Sequence, residues 1–80
     1  MEKDVARHVI RVAFRTAAEL QELMSLLKRQ CSAEEYKDYA LGIAAAIDGI
    51  SVALTNKVLS SHPELTDEIE TCLAKFGRFI

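Results

Sequence analysis

The chain has 80 residues, of which half are hydrophobic and 28% are charged, and its formal net charge is −2. This composition is typical of one small globular domain rather than of a disordered chain. One proline and three glycines favour long helices over a turn-rich β fold. The net charge excludes a strong global attraction for nucleic acid, and two cysteines are too few for a disulfide framework.

The first predicted helix covers about residues 4–29. Its apolar residues recur at helical spacing and occupy roughly 200° of the circumference, which is more than one neighbouring helix covers. We therefore expect this helix to contact more than one partner helix. Its other face is charged and carries a basic row in which a cation recurs every fourth residue: Lys3, Arg7, Arg11 and Arg15.

The second predicted helix covers about residues 33–59. It begins with a capping-box pattern, in which Ser32 accepts a hydrogen bond from the backbone N–H of Glu35. A short link around residues 30–32 makes the first two helices antiparallel neighbours. Two apolar stripes follow helical spacing along its centre. One is large (Ile43, Ile47, Ile50, Leu54) and one is small (Gly42, Ala46, Gly49, Ala53).

The small stripe predicts close approach of another helix, because glycine is costly inside a helix unless packing compensates. That helix is either the first helix of the same chain or a helix of another molecule. Asp48 is the only charged residue in the apolar run of residues 39–54. We expect it to reach solvent, and the alternative is an ion pair with an arginine or a lysine across an interface.

The apolar run of residues 39–54 is shorter than the roughly 20 residues that span a bilayer. The N-terminal residues are charged and lack the continuous apolar core of a signal peptide. The sequence therefore predicts a cytoplasmic protein with no membrane partner.

The third predicted helix covers about residues 63–78 and begins at Pro63, which is favoured in a first turn. Ser61 and Glu64 have the spacing of a second capping box. The helix begins with acidic residues, which we expect to lie beside the basic row because helices one and three run parallel. The predicted core stripe consists of Leu65, Ile69, Cys72, Leu73, Phe76 and Ile80.

The predicted fold is all-α, with residues 1–80 as one domain. It is a three-helix up-down bundle of two long antiparallel helices and a shorter third helix. The third helix is too short to cover the whole pair, so apolar residues stay open near the first turn. We expect a symmetric homodimer, which forms a larger helical bundle, to cover these apolar residues. The predicted interface residues are Leu20, Leu23, Met24, Leu27, Tyr36, Tyr39, Ala40 and Ile43.

Histidine and cysteine residues have no metal-ligand spacing, so we predict no metal site. His8 and His62 belong to the same end of the bundle, but motifs such as HExxH and CxxC are missing. Cys31 lies in the first turn, whereas Cys72 lies on the core stripe towards the opposite end, too far apart for a disulfide. We find no catalytic motif and no cofactor fingerprint.

The sequence thus predicts a homodimeric protein–protein interaction module without enzyme activity. The alternative is a transcription-associated regulator that binds nucleic acid through the basic row, which the neighbouring acidic residues make less favoured. A third hypothesis is a small-molecule enzyme with a site between subunits. Salt-sensitive nucleic-acid binding distinguishes the second class, and a polar cavity with convergent cations distinguishes the third.

Overall fold

The computed structural model describes residues 1–79, which contain three helices. They are α1 (Lys3–Gln30), α2 (Ala33–Ser61) and α3 (Leu65–Phe76). These residues contain no β-strand, which confirms the all-α fold class. The bounds of α1 and α2 lie within two residues of the predicted ones. Helix α3 is shorter than predicted by two residues at each end.

The start of α2 is fixed by the predicted capping box. The backbone N–H of Glu35 donates to Ser32 Oγ at 3.2 Å, and the backbone N–H of Ser32 donates to Glu35 Oε1 at 3.4 Å. Only Cys31 and Ser32 separate α1 from α2. This short connection reverses the chain and places the end of α2 beside the start of α1.

The predicted second capping box does not form at the start of α3. The helix begins at Leu65, and no side chain caps its N-terminal backbone groups. Instead, the N–H of Leu65 donates to the carbonyl oxygen of His62, and the N–H of Thr66 donates to that of Pro63. Glu64 contacts His62 Nδ1 at 3.4 Å. Its carboxylate is therefore directed to the histidine and not to Ser61.

One π-helical turn, Ser51–Thr55, interrupts the α-helical geometry of α2. The N–H of Asn56 donates to the carbonyl oxygen of Ser51, five residues back. A π turn adds one residue to the helical repeat, so the face that packs inward shifts. Leu54, a member of the large apolar stripe, is 42% exposed, while Val58 is buried. The sequence period assumed a regular α-helix, and that assumption fails here.

The main core lies at one end of the molecule, where α3 covers the start of α1 and the end of α2. Eight hydrophobic residues in the described chain are buried, although half of the sequence is hydrophobic. The interior of a single chain is therefore small. The core cluster consists of Ala6, Ile10, Val58, Leu65, Ile69 and Phe79.

A tight turn after α3 returns the chain to this core. Gly77 adopts the left-handed conformation at φ 72°, and its N–H donates to the carbonyl oxygen of Leu73. Phe79 then packs edge-on against Phe14, with 6.2 Å between the ring centroids. Phe76, predicted on the core stripe, is 59% exposed because the turn brings Phe79 inward instead. The predicted core position Ile80 lies outside the described residues.

The molecule is elongated and exposes more surface than its mass requires. Its radius of gyration is 14.8 Å, whereas a chain of 80 residues is expected at roughly 11.6 Å. Its overall extents are 45, 26 and 15 Å. Such a shape follows from two long helices and one short helix that covers only one end of them.

Candidate interaction surface

The predicted interface residues near the first turn are covered to different degrees within one chain. Leu23 and Tyr39 are exposed, Tyr39 to 58%. Ile43 is only 7% exposed, so it belongs to the interior of the chain and not to an open surface. The other five residues are half-buried: Leu20, Met24, Leu27, Tyr36 and Ala40.

A larger apolar surface consists of exposed residues of α2, and we call it the outer face of α2. All of its residues are exposed, including Leu41 at 64% and Val52 at 61%. Tyr39 lies at its border, so this face adjoins the predicted interface. The outer face consists of Leu41, Gly42, Ala44, Ala45, Ala46, Asp48, Gly49, Val52 and Ala53.

The small-residue stripe belongs to this outer face. A Cβ atom placed on Gly42 or Gly49 meets no atom within 4 Å. No helix of the same chain therefore approaches these two glycines closely. The hypothesis that the stripe packs on helix one of the same chain is wrong, and the space beside the stripe is open.

Asp48 is the single charged residue of the outer face, and it is exposed. Within residues 1–79 it forms no ion pair, in agreement with the expectation that it reaches solvent. On the helical circumference it lies near one edge of the outer face, about 70° from its centre. The centre of the face is therefore uncharged.

Helix α2 is also long and apolar enough to cross a membrane by length and composition. It has 29 residues, whereas the sequence-based expectation considered only the apolar run at its centre. A soluble core helix passes the same test when it is buried. Here, however, only 6% of the most apolar window is buried, so a single chain leaves most of this window uncovered.

The basic row of α1 is partly neutralised by α3, as expected from the parallel course of these helices. Arg7 Nε donates to Glu68 Oε1 at 2.9 Å, and Arg7 Nη1 donates to Asp4 Oδ1 at 2.6 Å. The hydrogen bond from Arg7 lowers the pKa of Glu68 below its usual 4.5, and the same bond raises the pKa of Arg7. This arginine is therefore occupied within the chain.

Arg11, the next member of the basic row, has a different environment. Its guanidinium carbon lies 5.5 Å from the centroid of the Phe79 ring, and its Nε atom is buried without a hydrogen-bond partner. A cavity of 530 Å³ opens beside it. The lining residues are Arg11, Phe14, Arg15, Ala18, Glu19, Glu22, Arg78 and Phe79.

Sequence reasoning did not predict this cavity. Its walls come from two segments more than fifty residues apart, and the Gly77 turn brings them together. The helical period predicted that the third helix continues to residue 78, which does not place Phe79 against Phe14. A glycine followed by a basic and an aromatic residue was the available signal, because glycine commonly ends helices.

A second cavity, of 310 Å³, lies beside the π turn. Leu54 and Val58 line it together with Val9 of α1. Lys57 and His62 are the ionisable side chains on its wall. Met1, Ala53 and Ser61 complete its lining.

Residues 1–79 contain no group of three His, Cys, Asp or Glu side chains placed to hold a metal ion. His8 is exposed, and His62 contacts Glu64. Cys31 and Cys72 are both free and half-buried.

No protein-family model, no curated protein and no solved structure matches this chain. A function is therefore inferred from the geometry and chemistry of its own residues.

Proposed function

We propose that this protein is a homodimeric helical module for protein–protein interaction in the cytoplasm, and that a second copy covers the outer face of α2. The observation that carries this proposal is the exposure of that face, which is uncharged at its centre and has no partner within the described chain. Large apolar patches on soluble proteins commonly mark interaction sites.

The exposed area supports a second copy as the occupant. The chain has an accessible surface of 5753 Å². A folded monomer of 8.9 kDa is expected to expose roughly 4,800 Å², which leaves an excess of about 950 Å². A stable interface of standard size buries about 800 Å² on each partner. The excess therefore matches what one symmetric contact removes.

The chemistry of the outer face fits helix-to-helix packing. Gly42 and Gly49 present no side chain, so a helix of the second copy approaches the α2 backbone closely, while Leu41 and Val52 supply apolar area. In a symmetric contact the two α2 helices cross near these glycines. Asp48 then lies at the rim, where it stays hydrated, and no charge is buried at the centre.

In the proposed dimer, the three helices of each chain form an up-down bundle, and α2 joins the two bundles into a larger one. The predicted interface near the first turn adjoins the outer face through Tyr39. We propose that Leu23 and Tyr39 extend the contact at its edge. They contribute less than the outer face, because the remaining predicted residues are already half-buried or buried in one chain.

The experiment is a measurement of molar mass by light scattering behind size exclusion, over a wide range of protein concentration. We expect twice 8.9 kDa for the unmodified chain. Ala45→Arg with Val52→Arg places two cations on the outer face, beside Asp48, where the helix tolerates them. This variant should elute as a folded monomer.

Two further variants locate the interface. Leu23→Arg with Tyr39→Arg changes the surface near the first turn, and we expect a weaker dimer rather than a monomer. Thr66→Arg with Thr71→Arg adds the same charge on the exposed side of α3 and should leave the mass unchanged. A monomeric mass for the unmodified chain, or a dimer that survives Ala45→Arg with Val52→Arg, contradicts the proposal.

A bilayer is the competing occupant of the outer face, since α2 has sufficient length and apolar character. Asp48 opposes it, because a carboxylate near the middle of a bilayer costs about 2.5–3.5 kcal/mol. Flotation with neutral phospholipid vesicles separates the two possibilities. A dimer that stays in the soluble fraction supports a second copy as the occupant. Flotation of all the protein with the vesicles overturns the proposal.

A further inference from the structure

We infer that the cavity between α1 and the turn after α3 binds a small organic molecule that carries a carboxylate or phosphate group. The cavity has a volume of 530 Å³, within the range of about 300–1,000 Å³ that is usual for small-molecule sites. Three arginines line it: Arg11, Arg15 and Arg78. This inference is independent of the proposed dimer, because all of these residues belong to one chain.

The environment of Arg11 is the first argument. Its side chain is half-buried, and within residues 1–79 no carboxylate lies within ion-pair distance. The Phe79 ring at 5.5 Å attracts the guanidinium and holds it in place, but a ring does not neutralise its charge. A partly desolvated cation without a counter-ion is costly. An anion in the cavity removes that cost.

The presence of three arginines in the lining is the second argument. Arg15 lies one turn after Arg11 on α1, and Arg78 follows the Gly77 turn. In the described part of the chain, neither forms an ion pair. The planar fork of a guanidinium matches the two oxygens of a carboxylate or phosphate. Three such forks around one cavity favour an oxyanion.

The rest of the lining restricts the ligand further. Phe14 and Ala18 form an apolar wall, which suits a hydrocarbon or aromatic body. Glu19 and Glu22 lie on the same helix, one and two turns beyond Arg15. They make that end of the cavity acidic. The oxyanion is therefore placed at the Arg11 end, and the ligand's hydrogen-bond donors are favoured at the other end.

An NMR titration of the isotope-labelled protein tests the site. The probes are phenyl phosphate and benzoate, which share an aromatic body, with benzyl alcohol as the uncharged control. We expect saturable shifts in the backbone amides of residues 11–22 and 77–79 with at least one anion and none with the alcohol. The tighter of the two anions identifies whether phosphate or carboxylate is preferred.

Charge-removing variants decide whether the arginines form a specific site. Arg15→Gln and Arg78→Gln should each weaken the binding of the preferred anion at least about tenfold, because each removes a charged hydrogen-bond partner of the anion. Lys28→Gln removes an exposed cation at the other end of α1 and should have no effect. Arg15 and Arg78 are exposed, so their replacement leaves the core intact, whereas Arg11→Gln also changes the packing on Phe79.

The inference is overturned by the absence of saturable shifts with both anions. It is also overturned if Lys28→Gln weakens binding as much as Arg15→Gln does, because that result shows a general attraction between charges. Far-UV circular dichroism and thermal melting of each variant, compared with the unmodified chain, separate a loss of binding from a loss of fold.

Discussion

Arg7 and Arg11 lie one turn apart on α1 and have opposite surroundings. Arg7 is bound by the carboxylates of Asp4 and Glu68, whereas Arg11 lies over the ring of Phe79 and has no carboxylate beside it in the described chain. One residue of the basic row thus joins α1 to α3, and the next faces a cavity. Two equally charged residues of the same row therefore have different contacts: Arg7 forms an ion pair with α3, and Arg11 packs on an aromatic ring.

The ion pair between Arg7 and Glu68 should make stability depend on pH. The pKa of Glu68 is lowered in the folded chain, chiefly by the hydrogen bond from Arg7. Its stabilising effect is therefore complete above its ordinary pKa of 4.5 and is lost as the pH falls through the lowered value. Urea unfolding at several pH values should show a smaller loss in Glu68→Gln than in the unmodified chain, because Glu64, whose pKa is also lowered by a hydrogen bond from its own backbone, keeps part of the pH dependence.

Glu70→Gln is the matched control for the pH experiment, because Glu70 is exposed and forms no ion pair in residues 1–79. It should keep the pH dependence of the unmodified chain. A double-mutant cycle with Arg7→Gln gives the coupling between the two side chains. An identical pH dependence for Glu68→Gln and Glu70→Gln would contradict the assignment.

Phe79 and Phe76 should differ sharply in their contribution to stability, although only two residues separate them. Phe79 is 8% exposed and belongs to the core cluster, so Phe79→Ala should cost about 3 kcal/mol of unfolding free energy. Phe76→Ala should cost less than about 1 kcal/mol, as expected for an exposed side chain. Thermal and urea unfolding of both variants measures the difference. Equal losses of stability would contradict the burial of Phe79 and the exposure of Phe76.

Gly42 and Gly77 should respond in opposite directions to alanine. Gly42 lies in a regular helix with open space beside it, so Gly42→Ala should stabilise a monomeric chain by about 1 kcal/mol. Gly77 has a φ of 72°, so Gly77→Ala should destabilise it by about 1 kcal/mol or more. The measurement is urea unfolding in the Ala45→Arg, Val52→Arg background, which removes the dimer. A loss of stability in Gly42→Ala would indicate a close neighbour within the chain.

The helices were largely predictable because their signals are local. Ser32 and Glu35 mark the start of α2, and apolar residues at helical spacing define α1. The ion pair between Arg7 of the basic row and Glu68 of α3 also agrees with the expectation that acidic residues of the third helix lie beside this row. These predictions depend on the neighbouring residues in the chain and on the order of the elements.

The remaining errors concern features that a fixed helical period does not describe. The π turn at Ser51–Thr55 changes the period and turns Leu54 outward. The left-handed Gly77 ends α3 early and replaces Phe76 with Phe79 in the core. The direction of the small-residue stripe depends on which of two apolar faces packs on α1. Both faces are apolar, so composition alone did not decide it.

The position of the core cluster has a consequence for the motions of the chain. Ala6, Ile10 and Val58 anchor one end of the long helices, whereas within residues 1–79 no third helix covers the end next to the Cys31–Ser32 turn. Backbone amides near this turn should therefore exchange their hydrogens through local opening, and those near Ile10 only through global unfolding. In an isolated chain, we therefore expect the helix ends next to the Cys31–Ser32 turn to unfold locally while the core cluster stays packed.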